Sequence, residues 1–396
     1  MKFLENIVKN LKPKFEEGGK LNKYLSVYDS LETFLFTPDH TTKSGSHIRD
    51  GIDLKRTMMM VIMAMIPALI FGMWNIGHFH YLSTGESMDL MGKFLYGAFK
   101  VIPMIAVSYG VGLGVEFIFA FKAKHGLHEG YLVSGMLIPL CMPPEIPLWM
   151  LAIAIVFAVL VGKEVFGGTG MNIMNIALLA RAFVFFAYPT KIAGEIWVAE
   201  PGTVDGYTGA TAMGDLSTTV GKAMDSPEVM AVMTKFQDGM YSMSNAFYGT
   251  IPGSVGETSA VAILIGAALL LFTGIASWRV MLSFLGGGLA MGAIFNLAGA
   301  NAFMTVSPVH QILLGGFMFG MVFMATDPVT SAQTNTGKWI YGFFAGFFGI
   351  MFRVFNPAYP EGIMLAILFM NIMAPMIDHY VIQGNIKKRL KRLKTA

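Results

Sequence analysis

The chain has 396 residues, of which 54% are hydrophobic and 13% charged, with a formal net charge of +3. Soluble domains carry roughly 25% charged residues, so the composition excludes an ordinary soluble domain and indicates an all-α polytopic membrane protein. The single cysteine, Cys141, excludes a disulfide framework and an iron–sulfur cluster held by this chain alone.

Residues 1–55 are polar, and Lys2, Lys9, Lys12, Lys14, Lys20, Lys23, Lys43, Arg49 and Lys55 alternate there with Phe, Leu and Tyr. This reads as a cytoplasmic arm of short amphipathic helices at a membrane surface, with a solvated tail as the plainer alternative. No short apolar run sits beside a cleavage site, so a cleaved signal peptide is not expected.

Ten apolar segments follow, over 57–77, 94–121, 131–142, 147–166, 172–189, 260–273, 279–298, 308–325, 339–355 and 362–381. The third and sixth fall short of the ~20 residues of a full crossing, and read as half-helices or strongly tilted ones. Lys122, Lys124, Lys163, Arg279, Lys338 and the tail cations Lys387, Lys388, Arg389, Lys391, Arg392 and Lys394 all fall on the side of the arm. Basic loops stay cytoplasmic, so both termini are expected inside. The expected units are the arm 1–55, a first five-helix half 56–189, an acidic periplasmic loop 190–258, a second five-helix half 259–381 and a basic tail 382–396. Five segments per half gives the halves opposite topology, the arithmetic of an inverted-repeat transporter or channel.

Ionisable residues inside a membrane are costly and are functional candidates. Glu116 lies deep in segment two, Arg181 in segment five, Asp378 near the end of segment ten, and Asp327 in the Thr326-Asp327-Pro328 break after segment eight. Internal ion pairing is the bland reading for Arg181 and Glu116, and a solvated helix end for Asp327 and Asp378. Gly167-Gly168-Thr169-Gly170 precedes Asn172 and Asn175, which share a helix face if they open segment five; they then either cap it or bind a ring edge. The run is neither a Walker loop nor a dinucleotide fingerprint. Ile251-Pro252-Gly253-Ser254-Val255-Gly256-Glu257 precedes segment six and reads as a simple turn or as a helix start able to bind phosphate. In the acidic loop, Asp205-Gly206-Tyr207-Thr208-Gly209-Ala210-Thr211 reads locally as a turn, with the Thr211 hydroxyl free to meet something large. No Cys/His spacing suggests a metal site, and no basic patch outside the flanking arms suggests nucleic acid.

The seven-residue motif resembles the flavin-transfer motif, whose last threonine is esterified by FMN phosphate. Lys163 to Gly170, Arg181-Ala182-Phe183, Phe185 to Pro189, Ile251 to Glu257, Phe323 to Pro328 and Asn356 to Gly362 extend the likeness from arm to tail. Together they resemble the B-subunit family of sodium-translocating NADH:quinone oxidoreductases. That resemblance implies one membrane subunit of a six-subunit complex in a bacterial inner membrane. Its five partners include a second covalent-FMN subunit and an iron–sulfur/FAD subunit. It implies covalent FMN on Thr211 near Asp205, Gly206, Thr208, Gly209 and Ser254, and riboflavin by Asn172 and Asn175. A ubiquinone region is implied at Gly112, Glu116, Glu129, Gly130 and Tyr131, and a sodium or proton path through Glu116, Asp327 and Asp378. The chain departs from the family at Leu113, Ile176 and Thr208, where relatives commonly have Gly, Pro and Ser. The alternatives are the related D subunit of ferredoxin:NAD oxidoreductases, and an inverted-repeat channel with no redox role.

Overall fold

The computed structural model describes residues 2–15, 28, 32, 36, 42–48, 50–123, 130–189, 192, 210–359 and 361–395, and among these residues the regular structure is all helical. In the arm, α1 (Lys2–Phe15) is the expected amphipathic helix. The Tyr28 hydroxyl donates to the Val8 carbonyl at 2.8 Å, and its ring stacks on Phe15.

The first half holds α2 (Leu54–Thr84), α3 (Leu90–Ala123), α4 (Tyr131–Leu140), α5 (Leu148–Gly162) and α6 (Ile176–Ala187). A loop layer follows with α7 (Ala212–Ser217), α8 (Pro227–Gln237) and α9 (Met243–Tyr248). The second half holds α10 (Ala260–Phe272), α11 (Trp278–Ala298), the short pieces α12 (Ala302–Thr305), α13 (Pro308–Leu313) and α14 (Phe317–Phe319), then α15 (Asn335–Phe355) and α16 (Ile363–Thr395). Among the described residues, six helices are long and apolar enough to cross a membrane: those starting at Leu54, Leu90, Leu148, Trp278, Asn335 and Ile363. The third, fifth and sixth expected segments form α4, α6 and α10, of 10, 12 and 13 residues. Shortness of the third and sixth was expected; that of the fifth was not. It begins at Ile176 rather than 172, because Asn172 lies outside the helix and Asn175 caps it. The basic tail is helical too, as α16 runs on to Thr395.

Segment eight is broken. α13 ends at Leu313, Gly315 takes φ +62°, and after α14 the chain makes a π-turn over Gly320–Met324. Backbone groups in a membrane need partners from protein when the helix stops. The buried Arg353 guanidinium supplies them, donating to the Gln311 carbonyl at 2.5 Å and the Leu314 carbonyl at 3.0 Å. The Gln311 side-chain amide donates to the carbonyls of Phe303 and Val306, each at 3.2 Å.

Packing recurs between the halves. In each, the second long helix lies on the fourth and the fourth on the fifth: α3 on α5 and α5 on α6, then α11 on α15 and α15 on α16. The short third segment touches the first and fifth, as do the broken pieces of the eighth. The α11–α15 crossing is glycine-lined. A Cβ at Gly287 would lie 1.9 Å from the Phe343 carbonyl oxygen, and one at Gly346 would lie 2.0 Å from that of Phe284. Small residues are what allow backbones this close in a membrane.

Gly346→Val is therefore expected to push α11 and α15 apart. Overpacking costs about 1–3 kcal/mol where side chains can yield, and here a main-chain oxygen is in the way. The detergent-solubilised variant should melt well below the wild type, whereas Gly286→Ala, where a Cβ meets nothing within 4 Å, should melt with it.

Candidate functional site

α6 carries a polar group at each of two levels. Asn175 is its N-cap, with Oδ1 accepting from the amides of Ala177 at 3.0 Å and Leu178 at 3.3 Å. Arg181 follows six residues on, about 9 Å along the axis. Arg181 lies on the buried face of this helix with Ala177, Leu178, Ala180 and Val184, one turn beyond small Ala177.

At the Asn175 level lies a cavity of about 100 Å³, lined among others by Gly130, Lys163, Thr169, Asn172, Asn175 and Asp327. That volume has room for several waters. Asn175 Nδ2 donates to Asp327 Oδ2 at 3.3 Å. Asp327 also accepts from the Val329 amide at 3.0 Å and the Thr330 hydroxyl at 3.1 Å. Asn172 shares the cavity without sharing the helix face, as its Nδ2 donates to the Met174 carbonyl at 3.2 Å. The expectation that both asparagines open the helix is thus corrected. Thr169 Oγ1 is buried on the lining with no hydrogen-bond partner. The lining carries an unsatisfied hydroxyl, two amides, a carboxylate and an ammonium, a donor and acceptor set of the kind that the edges of a polar heteroaromatic ring such as riboflavin's require.

The implied quinone residues border the same place. Tyr131 is fully buried, and a Cβ at Gly112 would lie 1.9 Å from its hydroxyl oxygen. That hydroxyl donates to the Ser108 carbonyl at 2.9 Å. A Cβ at Gly130 would meet the Thr169 methyl at 2.5 Å. Glu116 forms a buried ion pair with Lys163, whose Nζ lies 6.0 Å from the Tyr131 ring centroid. Glu129 falls outside the described residues. Lys163 thus overturns its sequence reading as a flanking surface charge: it is 1% exposed. Its place, one residue beyond an unbroken apolar helix, was the one signal that could have found it. Asp378 stands apart. Its carboxylate accepts from the Gln333 amide at 2.6 Å, the Thr334 amide at 3.1 Å and the Thr334 hydroxyl at 2.5 Å, so it caps the turn leading into α15.

At the Arg181 level, one buried guanidinium holds two buried acids: Nη1 donates to Glu257 Oε1 at 2.5 Å and Nη2 to Glu361 Oε2 at 2.9 Å. Glu257 stands in the turn ahead of α10, which starts at Ala260 behind a Ser259 cap. Both acids line a cleft with Thr211, Gly253, Ser254, Thr258 and Gly315. Thr211 is 4% exposed, and its Oγ1 accepts from the Gly214 amide at 3.0 Å as the N-cap of α7. The hydroxyl expected to stand free is instead tucked into this cleft. Asp205, Gly206, Thr208 and Gly209 fall outside the described residues. The phosphate-binding helix start expected at Gly253 to Gly256 is not formed. The amides of Val255, Gly256 and Glu257 already donate to Met142, Leu140 and Ser254 carbonyls. What remains is the Ser254 hydroxyl, 1% exposed and making no well-formed hydrogen bond although Glu257 is its neighbour. A buried hydroxyl sharing the cleft wall with Thr211 fits a phosphoester there. Glu361 and Arg353, both missed as site residues, belong to this level.

Fold and sites together define a polytopic all-α membrane protein with two buried polar centres joined by one short helix. The chain belongs to the NQR2, RnfD, RnfE family, whose model matches residues 41–387. It is 44% identical over 404 residues to the B subunit of the Na(+)-translocating NADH-quinone reductase of Stutzerimonas stutzeri, covering 96% of each chain. The B subunit of the same reductase in Chromohalobacter salexigens is 44% identical over 98% of this chain and 96% of its own. That of Azotobacter vinelandii is 42% identical over 98% of both.

Removing one partner of a buried ion pair costs about 3–5 kcal/mol, because a charge is left stranded. Arg181→Met strands two, so it should lower the melting temperature more than Glu361→Gln does. The triple variant Arg181→Met/Glu257→Gln/Glu361→Gln removes all three charges and should melt above Arg181→Met alone.

Proposed function

We propose that the chain is the B-type membrane subunit of a sodium-translocating NADH:quinone reductase. The observation that carries this is the pair of polar centres at the two levels of α6, on a chain alike to such subunits over nearly its whole length. In this reading FMN is esterified to Thr211, riboflavin occupies the cavity of Asn172 and Asn175, and ubiquinone is reduced beside Gly112, Glu116, Gly130 and Tyr131. Five further subunits complete the assembly in a bacterial inner membrane, with both termini cytoplasmic and the two five-segment halves inverted. The sodium path runs through Glu116, Asp327 and Asp378.

Bound flavins supply one- and two-electron transfer that side chains cannot. The protein contributes position and electrostatics. Thr211 can give its oxygen to a phosphoester while that oxygen still accepts from Gly214. Ser254 donates its hydroxyl to a phosphate oxygen, and Arg181 together with Arg353 offsets the charge of Glu257 and Glu361 beside the phosphate. In the second cavity Asn172, Asn175 and Thr169 present donors and acceptors to ring edges. Tyr131, seated against Gly112, and Gly130, seated against Thr169, shape the wall toward the quinone. Moving a unit charge across the membrane costs ~2.3 kcal/mol per 100 mV, so carboxylates on the route offset a sodium ion's lost hydration.

Thr211→Ala, expressed with the subunits and the flavin-transfer enzyme of its complex, should lose in-gel flavin fluorescence and the matching mass increment. Thr211→Ser keeps the N-cap and the fold, and Thr208→Ala should retain the flavin. Undiminished fluorescence in Thr211→Ala would overturn the attachment site. A wild-type chain that never carries flavin would favour the channel reading instead.

The loop layer is expected to face the periplasm. Ala223, exposed in the turn before α8, replaced by cysteine should react with a membrane-impermeant maleimide in intact spheroplasts. Cys141 is fully buried and should stay silent. Labelling seen only after lysis would place Thr211 on the cytoplasmic side.

A further inference from the structure

The Glu116–Lys163 pair differs from the other buried carboxylates in how it is held. Arg181 is shared by two acids, and Asp327 has three donors around it. Glu116 has Lys163 alone, on Oε1, while its Oε2 is buried with no partner. Its charge inside the protein rests on one ammonium group.

That ammonium has a second place to go. Lys163 lines the cavity with Thr169, Asn172, Asn175 and Asp327, whereas Glu116 does not. It is the one cation on the described lining. A lysine is a compact charge on a flexible four-carbon stem, unlike the planar fork of Arg181. It is therefore the type of cation that can turn from one partner to another. Lys163 stands at the end of α5, where Gly168 donates back to its carbonyl at 3.0 Å and Gly167 and Gly168 take φ +113° and +95°. The main chain is thus fixed by a tight turn while the stem reaches inward.

We propose that Lys163 is a tethered counter-cation: negative charge entering the cavity draws its ammonium away from Glu116, and a sodium ion replaces it there. This rests on the functional reading above. In low dielectric a unit charge attracts a nearby cation strongly, and a buried carboxylate left unpaired is costly. The two effects together demand one incoming cation for each arriving electron. The electron comes from the nicotinamide substrate through the partner subunits. No covalent bond forms or breaks, the ammonium moves within the protein, and the sodium ion balances the added charge. When the charge passes on to the quinone, Lys163 returns to Glu116 and the sodium ion is displaced.

The test uses the whole purified complex. The potential of its non-covalent flavin is titrated spectroelectrochemically at low and high sodium chloride, and binding of ²²Na⁺ to the oxidised complex is measured at equilibrium. In the wild type the potential should rise with sodium. Lys163→Met should move the potential negative, abolish its sodium dependence and tighten sodium binding to the oxidised complex by at least about tenfold, since Glu116 is then permanently vacated. Glu116→Gln should move the potential positive, also without sodium dependence, because the ammonium is then free for the cavity. Shifts of the same sign in the two variants, or a sodium-dependent potential surviving in Lys163→Met, would overturn the proposal. If Lys163→Met does not assemble, Glu116→Gln decides it, and an unchanged potential there overturns it. An acid extract of the wild-type complex without free riboflavin would count against the functional reading instead. In that case the sodium-binding comparison still decides the role of Lys163.

Discussion

The Arg181 guanidinium is shut away from water and keeps its charge because two carboxylates from distant parts of the chain close on it. Glu257 comes from the turn before α10 and Glu361 from the turn before α16, so this contact joins the first half to the end of the loop layer and to the second half. The cleft at Thr211 is a by-product of that closure, since both acids form part of its wall. The cavity at Asn175 depends on it as well. α6 is too short to span a membrane and is held at one level by Arg181 and at the other by its cap and Asp327. A twelve-residue helix fixed at both levels is a rigid spacer between two centres.

Broken helices have the same logic. A chain that stops a helix inside a membrane must find partners for the freed carbonyls, and segment eight does so with Arg353 and Gln311. Two buried arginines thus serve different ends: Arg181 balances acids, and Arg353 satisfies backbone. Arg353 lies at Gly315, whose Cβ position would be 3.1 Å from its Nη2, and Gly315 shares the cleft with the two acids that Arg181 holds. The break, the cleft and the arginines form one construction.

The all-α membrane class was legible because apolar run length is a strong signal, whereas, among the described residues, six of the ten expected segments are helices long enough to cross a membrane. The C-terminal helix ends were read well where a glycine or a basic residue followed, as for α3 and α11, whereas α2 runs on to Thr84, past the expected end at 77. The start at residue 172 was read less well, because asparagine was given a helical place that its capping chemistry denies it. Arg181 was legible as an ion-pair member, but its partners were not, since nothing in a sequence says that residues 76 and 180 positions away will meet it. Lys163 was misread because positive charge at a segment end ordinarily marks a surface. The Ser254 stretch was misread because a Pro-Gly-Ser run before an apolar segment resembles a helix start, whereas its amides pair with α4 carbonyls and the turn that follows it.

The glycine-lined crossing of α11 and α15 has a mechanical consequence. Side chains that interdigitate can change rotamer and let two helices slide; main chains in contact at Gly287 and Gly346 have no such freedom. Shear of one packed helix over another is a common way for proteins to move, and this pair forgoes it. The two helices behave as a single strut, so a transport cycle in this chain must take its displacement elsewhere. The places with give are α4, which lines the cavity at Asn175, and the broken pieces around Gly315, which line the cleft at Thr211.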